Sequence, residues 1–280
     1  MLNRCNSDTD SIVWMEEDLR NLCTLYALSL SWGVFLLRGI VMTALWNQIK
    51  ENVGFVFACI AIITAITLVA KIAERFLPAI RKVSVARRIT IVGVCSAIAT
   101  ILHILDFPLL FLAPEFYKLD FSELPVMLCG FYLGPSAAVA CEAVKILLKL
   151  LTKGTSTAFV GDFANFVVGC SLVVPATALY HIKKTRTGAL AGLIVGTAVL
   201  TVFGSAFNAV YLLPKFSGLF GISLDAIIAM GTAINPNISS VSTFVLFAVA
   251  PLNLLKGTMI SVLTVLLYKR IARPLFGLKS

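Results

Sequence analysis

Charge is what this sequence has least of. Of its 280 residues only 13% are charged, against 59% hydrophobic, and the mean hydropathy is +0.96. A soluble domain of this size carries roughly twice that charged fraction, so a soluble globular fold is excluded. Catalytic signatures are missing too. There is no HExxH, no GxSxG, no GxxxxGK[ST] and no paired His/Cys cluster. The chain is therefore read as no enzyme, and without a phosphate-binding loop it cannot hydrolyse ATP by itself. Any uphill transport needs a motor on another subunit. None of the seven cysteines (Cys5, Cys23, Cys59, Cys95, Cys129, Cys141 and Cys170) forms a CxxC pair, and most lie in apolar runs. They read as small hydrophobes, not metal ligands or disulfides. A cleavable signal peptide is not expected, because the first twenty residues are polar and acidic, with Asp8, Asp10, Glu16, Glu17 and Asp18.

What is present is a series of unbroken Leu/Ile/Val/Ala runs, several as long as the roughly 20 residues a helix needs to cross a bilayer. A β-barrel would show short alternating segments instead. Backbone polar groups in hydrocarbon must be bonded within their own segment, which leaves helices. The fold class is an all-α integral membrane protein. Two spans come first, over 22–46 and 53–73, joined by the short polar hinge 47–52 as a helical hairpin. Arg38 falls inside the first, which is expensive unless that span is tilted, interfacial or packed on a partner. A basic linker with Arg75, Arg81, Lys82, Arg87 and Arg88 then separates residues 1–85 from a six-helix core over 86–275.

The core spans are expected over 89–105, 124–133, 136–151, 159–181, 189–213 and 243–268. Gly134-Pro135 marks a turn, and Pro214 is expected to end the fifth span. The net charge of +9 sits mostly in short connections, so it reads as topology and not as a nucleic-acid surface. The linker, the loop 183–186 and Lys269, Arg270 and Arg273 all fall on one side, the cytoplasmic one, as do both termini. The expected location is a multi-pass plasma-membrane protein. The loop holding Lys118-Leu-Asp-Phe-Ser-Glu-Leu-Pro125, the loop 153–157 and the connection 214–243 face outward.

Polar residues inside such spans are functional candidates by default. Asn208 lies near the outer end of the fifth core span; Asn253 and Lys256 lie in the outer half of the sixth, just after Pro251. All three share a level beneath the outer loop. Two readings stand for each: a water-facing pocket, or structure. The structural reading is an interhelical hydrogen bond for each Asn, worth about 1 kcal/mol, and an ion pair with Glu142 for Lys256. Glu142, Lys145 and Lys149 stand at i, i+3 and i+7 and share a face, which favours an interior structural pair. Asp162 and Asn165 either cap the fourth span or line the pocket. His103 and His181, at span ends, read as satisfied by backbone or headgroups. Phe107, Phe111, Phe116, Tyr117 and Phe121 either anchor the first outer loop in the interface or cover a flat aromatic ligand. Gly93 and Ala97, four apart, let another helix approach closely.

Several segments together resemble a known family. They are Ala86-Arg-Arg-Ile89, the 118–125 motif above, Gly130-Phe-Tyr-Leu-Gly-Pro135, Gly161-Asp-Phe-Ala-Asn-Phe166, Asp225-Ala-Ile-Ile-Ala-Met-Gly-Thr-Ala-Ile-Asn-Pro236 and Pro251-Leu-Asn-Leu-Leu-Lys-Gly257. They are similar to the substrate-binding S components of energy-coupling factor (ECF) transporters, specifically the riboflavin-specific ones. The resemblance implies a six-helix subunit that captures the vitamin from outside. It implies partners in an ECF transmembrane subunit and two ATP-binding subunits, with riboflavin as cargo and no resident cofactor or metal. It implies a pocket formed by Asp120, Phe121, Asn165, Asn208, Asn253 and Lys256, and docking of the transmembrane subunit on Gly93 and Ala97, glycine replacing the family's first alanine. Asp162 stands where the family is expected to carry Glu, and Leu252 where it is expected to carry Phe. The hairpin lies outside the resemblance. The chemistry agrees: a flavin offers a flat aromatic body, a polar pyrimidine edge and a hydroxylated chain, which suits an apolar site with two amides and one cation. The alternatives are an S component for pantothenate or thiamine, or a solitary membrane protein.

Overall fold

The computed structural model describes residue 43, residues 53–77 and residues 83–276. Apart from residue 43, the expected span 22–46 with Arg38 lies outside the described residues, as do the hinge 47–52, Arg81 and Lys82. The chain is a helical membrane protein. In order come α1 (Val53–Arg75), α2 (Val85–Ile104), β1 (Phe107–Pro108), β2 (Lys118–Leu119), α3 (Glu123–Leu133), α4 (Pro135–Lys153) and α5 (Val160–Ile182). Then follow α6 (Arg186–Phe207), a π-helical turn π1 (Asn208–Leu212), α7 (Leu213–Phe220) and α8 (Leu224–Thr232). A short α9 (Val241–Phe244), a second π turn π2 (Val245–Val249) and α10 (Ala250–Phe276) complete it. Among the described residues four helical stretches are long and apolar enough to cross a membrane: Val85–Ile104, Val160–Ile182, Arg186–Leu219 and Val241–Tyr268.

Local chemistry explains the starts and stops. Ser84 caps α2, its hydroxyl accepting the Arg87 N–H at 3.4 Å. Pro135 opens α4, where its missing N–H costs nothing. Every residue of α3 is buried, so this short helix is the centre of the bundle, with α2, α4, α5 and α10 packed around it. Gly130 allows that: a Cβ there would stand 2.8 Å from the Ala138 Cβ and 2.5 Å from the Thr177 Cγ2. His181 Nε2 lies 3.0 Å from the Gly130 carbonyl, the backbone partner expected for it. Outward faces carry large apolar side chains such as Ile194, Val202, Val210 and Leu266, as a lipid-facing surface requires.

One expectation fails. Pro214 does not end the fifth span; the helix runs on to Phe220. A proline inside an α-helix removes one hydrogen bond and its ring strikes the carbonyl four residues back. The π turn just before it widens the backbone there, and Leu213 donates to the Asn208 carbonyl five residues back. Pro251 follows π2 at the same spacing. Both helices thus absorb their proline with a widened turn, and the two π turns touch. Such turns recur at functional sites.

Candidate functional site

Buried charge converges where α2, α3, α4 and α10 meet the loop between α2 and α3. Lys256 Nζ donates to Glu123 Oε1 at 3.0 Å and to Asp120 Oδ2 at 3.3 Å. Asp120 Oδ1 accepts the Ser122 N–H at 2.8 Å, and His103 Nδ1 lies 3.3 Å from Oδ2. Lys145 Nζ donates to Ser122 Oγ at 2.9 Å and to Glu142 Oε1, and stands 3.6 Å from Glu123 Oε1. His103, Asp120, Lys256, Glu123, Lys145 and Glu142 therefore form one continuous buried chain. Charges out of water are tolerated only when paired in this way.

The structure corrects two sequence readings here. Lys256 does not pair with Glu142, whose cation is Lys145. His103 is not satisfied by backbone or headgroups but faces Asp120. The i, i+3, i+7 face also splits: Lys149 turns to Asp162 Oδ1 at 2.5 Å, and Thr155 Oγ1 donates to Asp162 Oδ2 at 2.7 Å. Asp162 thus ties the end of α4 to the start of α5.

Asn208 and Asn253 meet across Gly204. Asn208 Nδ2 donates to the Gly204 carbonyl at 2.8 Å, and a Cβ at Gly204 would stand 3.0 Å from Asn253 Nδ2. Tyr117, reaching in from the loop between α2 and α3, donates its hydroxyl to Asn208 Oδ1 at 2.8 Å. Its ring lies against Phe116 and Phe244, centroids 4.7 and 6.1 Å away. Phe121 is half-buried, 6.1 Å from the Phe107 ring, across the Phe107–Leu119 pairing of the β1–β2 hairpin. Asn165 is half-buried on α5 and donates locally, to the Gly161 carbonyl at 3.1 Å. Gly93 and Ala97 lie far from this chemistry in role: both are exposed on α2, and a Cβ at Gly93 would meet nothing within 4 Å.

Asp120, Asn208, Asn253 and Lys256 are thus gathered into one buried region, while Asn165 is bonded elsewhere. Sequence reasoning gave no ligand-site role to Glu123 or to Lys145. The signal available was the imbalance of the chain, three buried carboxylates around two lysines. Unused capacity remains. Asn253 Nδ2 (the residue 7% exposed) and Glu123 Oε2 (1% exposed) have no hydrogen-bond partner among the described residues. An ammonium has three N–H donors; Asp120 and Glu123 take two from Lys256.

Burial alone would raise the Asp120 carboxyl. The Lys256 ammonium, then His103 and Lys145, outweigh that and hold it well below the usual carboxylate range. A depressed acid contributes its full stability above the ordinary Asp value of about 4 and loses it as pH falls further. The melting-temperature gap between wild type and Asp120→Asn is therefore expected to narrow as the pH falls below about 4. A gap that widens as the pH falls below about 4 would refute this ionisation state.

The comparisons with known proteins agree with this architecture. The family described as "ECF transporter, substrate-specific component" matches residues 87–268. The riboflavin transporter RibU of Staphylococcus aureus (strain TCH60) is 34% identical over 186 residues, 66% of this chain and 90% of that protein. The riboflavin transporter FmnP of Bacillus subtilis (strain 168) is 30% identical over 183 residues, 65% of this chain and 90% of that protein. A solved structure of the S component of a bacterial ECF transporter superposes with a TM-score of 0.54 at 34% identity, covering 68% of this chain and 98% of that one. A matched segment that includes the whole buried charge chain, in a helical membrane fold shared with a solved S component, leads to one conclusion: this chain belongs to the substrate-specific components of ECF transporters.

Proposed function

We propose that the chain binds riboflavin from outside the cell and delivers it through an ECF transporter, the ATP-driven step residing on other subunits. One observation carries the reading. Lys256, oriented by Asp120 and Glu123 with one donor to spare, stands one helical turn from the unpaired Asn253 amide, in a chain whose relatives are named riboflavin transporters. Carbonyls on the flavin's pyrimidine edge accept from these donors, and the Glu123 Oε2 acceptor suits its N–H. Asn208, Phe121 and Asn165 complete the proposed pocket. Buried polar groups of this kind reject analogues lacking the matching groups far more strongly than apolar walls do.

The remaining architecture follows the same proposal. A six-helix core over 86–275 is preceded by a hairpin within 1–85, with both termini cytoplasmic; the basic connections support that orientation. Partners are an ECF transmembrane subunit, docking on Gly93 and Ala97, and two ATP-binding subunits. The test is the absorption spectrum of the purified protein, mass spectrometry of any released molecule, and a titration against a vitamin panel including pantothenate and thiamine. Binding of another vitamin in preference to riboflavin, or of none, would refute the proposal.

Tyr117 enters as a competitor. Its hydroxyl donates to Asn208 Oδ1, an oxygen the proposed ligand would share, and such a bond is worth about 0.5–1.5 kcal/mol net. Tyr117→Phe is therefore expected to tighten riboflavin binding by up to about tenfold. Weaker binding would instead make the tyrosine hydroxyl a ligand contact.

A further inference from the structure

The family match begins at residue 87, yet α1 lies upstream of it and is packed on the matched segment. Ala70, 1% exposed, is buried among Val139 and Ile146 of α4 and Phe166 of α5, with Ile63 and Ile66 alongside. Positions 63, 66 and 70 fall on one stripe of a helix. The other faces of α1 are exposed, as at Phe57 and Val69.

Apolar packing in lipid has no hydrophobic drive, so helices there are held by van der Waals fit and interhelical hydrogen bonds. A polar joint supplies the latter. Helix α4 starts at Gly134-Pro135 without a side-chain cap of its own. The Ser136 amide, in its first turn, lacks an intrahelical acceptor and donates instead to Glu74 Oε1 of α1 at 2.8 Å, 62 residues upstream. A carboxylate there also meets the positive end of the helix dipole. Ser136 Oγ accepts from Arg88 Nη2 of α2 at 2.6 Å. The end of α1 and the starts of α2 and α4 are thereby joined through one serine. The joint shares no residue with the buried chain around Lys256.

We propose that the α4–α5 face is a dedicated seat for α1, locked by Glu74 acting as the cap of α4 from another helix. The upstream helix braces the core at the end where α2 and α4 begin and does not reach the ligand. It leaves the exposed Gly93–Ala97 face of α2 clear.

The experiment uses the full chain in mild detergent, with an N-terminal affinity tag and a protease site inserted between Leu77 and Val83. After cleavage, the downstream fragment is expected to stay on the tag. In a variant carrying Ala70→Phe, which overpacks the seat, and Glu74→Ala, cleavage is expected to release it. Release from the wild-type seat, or retention by the double variant, would overturn the proposal. Riboflavin affinity of the released core is expected to match that of the uncut chain; a loss would overturn the claim that α1 stays clear of the ligand. An uncut chain that binds no riboflavin would sink the functional reading alone, since the retention assay needs no ligand.

Discussion

Lys256→Met is expected to weaken riboflavin binding by about 10- to 100-fold, the factor belonging to one hydrogen bond from a charged donor at about 1.5–3 kcal/mol. The substitution removes more than a ligand contact. Asp120 and Glu123 both lean on this ammonium from buried positions, Lys256 itself being only 9% exposed. Breaking a buried pair by deleting one partner costs about 3–5 kcal/mol, because the other charge is left uncompensated. Read from the sequence alone, the substitution weakens binding more than it harms folding; the ion-pair chain raises the expected cost to folding, and a clear drop in melting temperature is expected alongside. Titration must therefore be done well below the variant's melting temperature. Adding Asp120→Asn removes one stranded carboxylate and is expected to recover part of the stability while leaving affinity low. Affinity equal to wild type in folded Lys256→Met would end the pocket assignment.

Gly93→Leu is expected to abolish capture of the ECF transmembrane subunit while leaving riboflavin affinity and melting temperature intact. The physical case is unusually clean. A Cβ at Gly93 meets nothing within 4 Å, and the position is exposed on α2. Leucine is also the better helix former, so nothing among the described residues opposes it. Only a partner helix closing on the small residues Gly93 and Ala97 would feel the added bulk. Co-purification of the subunits is the measurement. Full capture by Gly93→Leu would rule out this face as the docking surface, without touching the vitamin assignment.

The sequence could be read along each helix and not between helices. Hydropathy and length placed α2, α3, α4 and α5 within a few residues of where they lie, since the need to bond every backbone group inside the membrane is satisfied locally. The same rule put Lys256 one turn beyond Asn253 and set Gly93 and Ala97 on one stripe. It misjudged Pro214, because a π turn is a cooperative adjustment of backbone that no single residue announces. The 3.6-residue period also grouped Glu142, Lys145 and Lys149 correctly on one face, but spacing carries no information about what that face meets.

Partners were decided by packing. Tyr117 and Asn208 are 91 positions apart, and Lys256 and Glu123 are 133 apart. A buried charge selects whichever counter-charge the tertiary fold brings within reach, so pairing follows the contact geometry of α2, α3, α4 and α10. The sequence alone determined that this is a helical membrane protein with a few costly polar groups within its spans. Only the tertiary structure decided that Glu123 and Asp120, not Glu142, hold Lys256, and that Glu74 caps α4. Membrane insertion and helix formation depend on neighbours within one segment, whereas charge compensation and capping across segments depend on distances that exist only after the helices have packed.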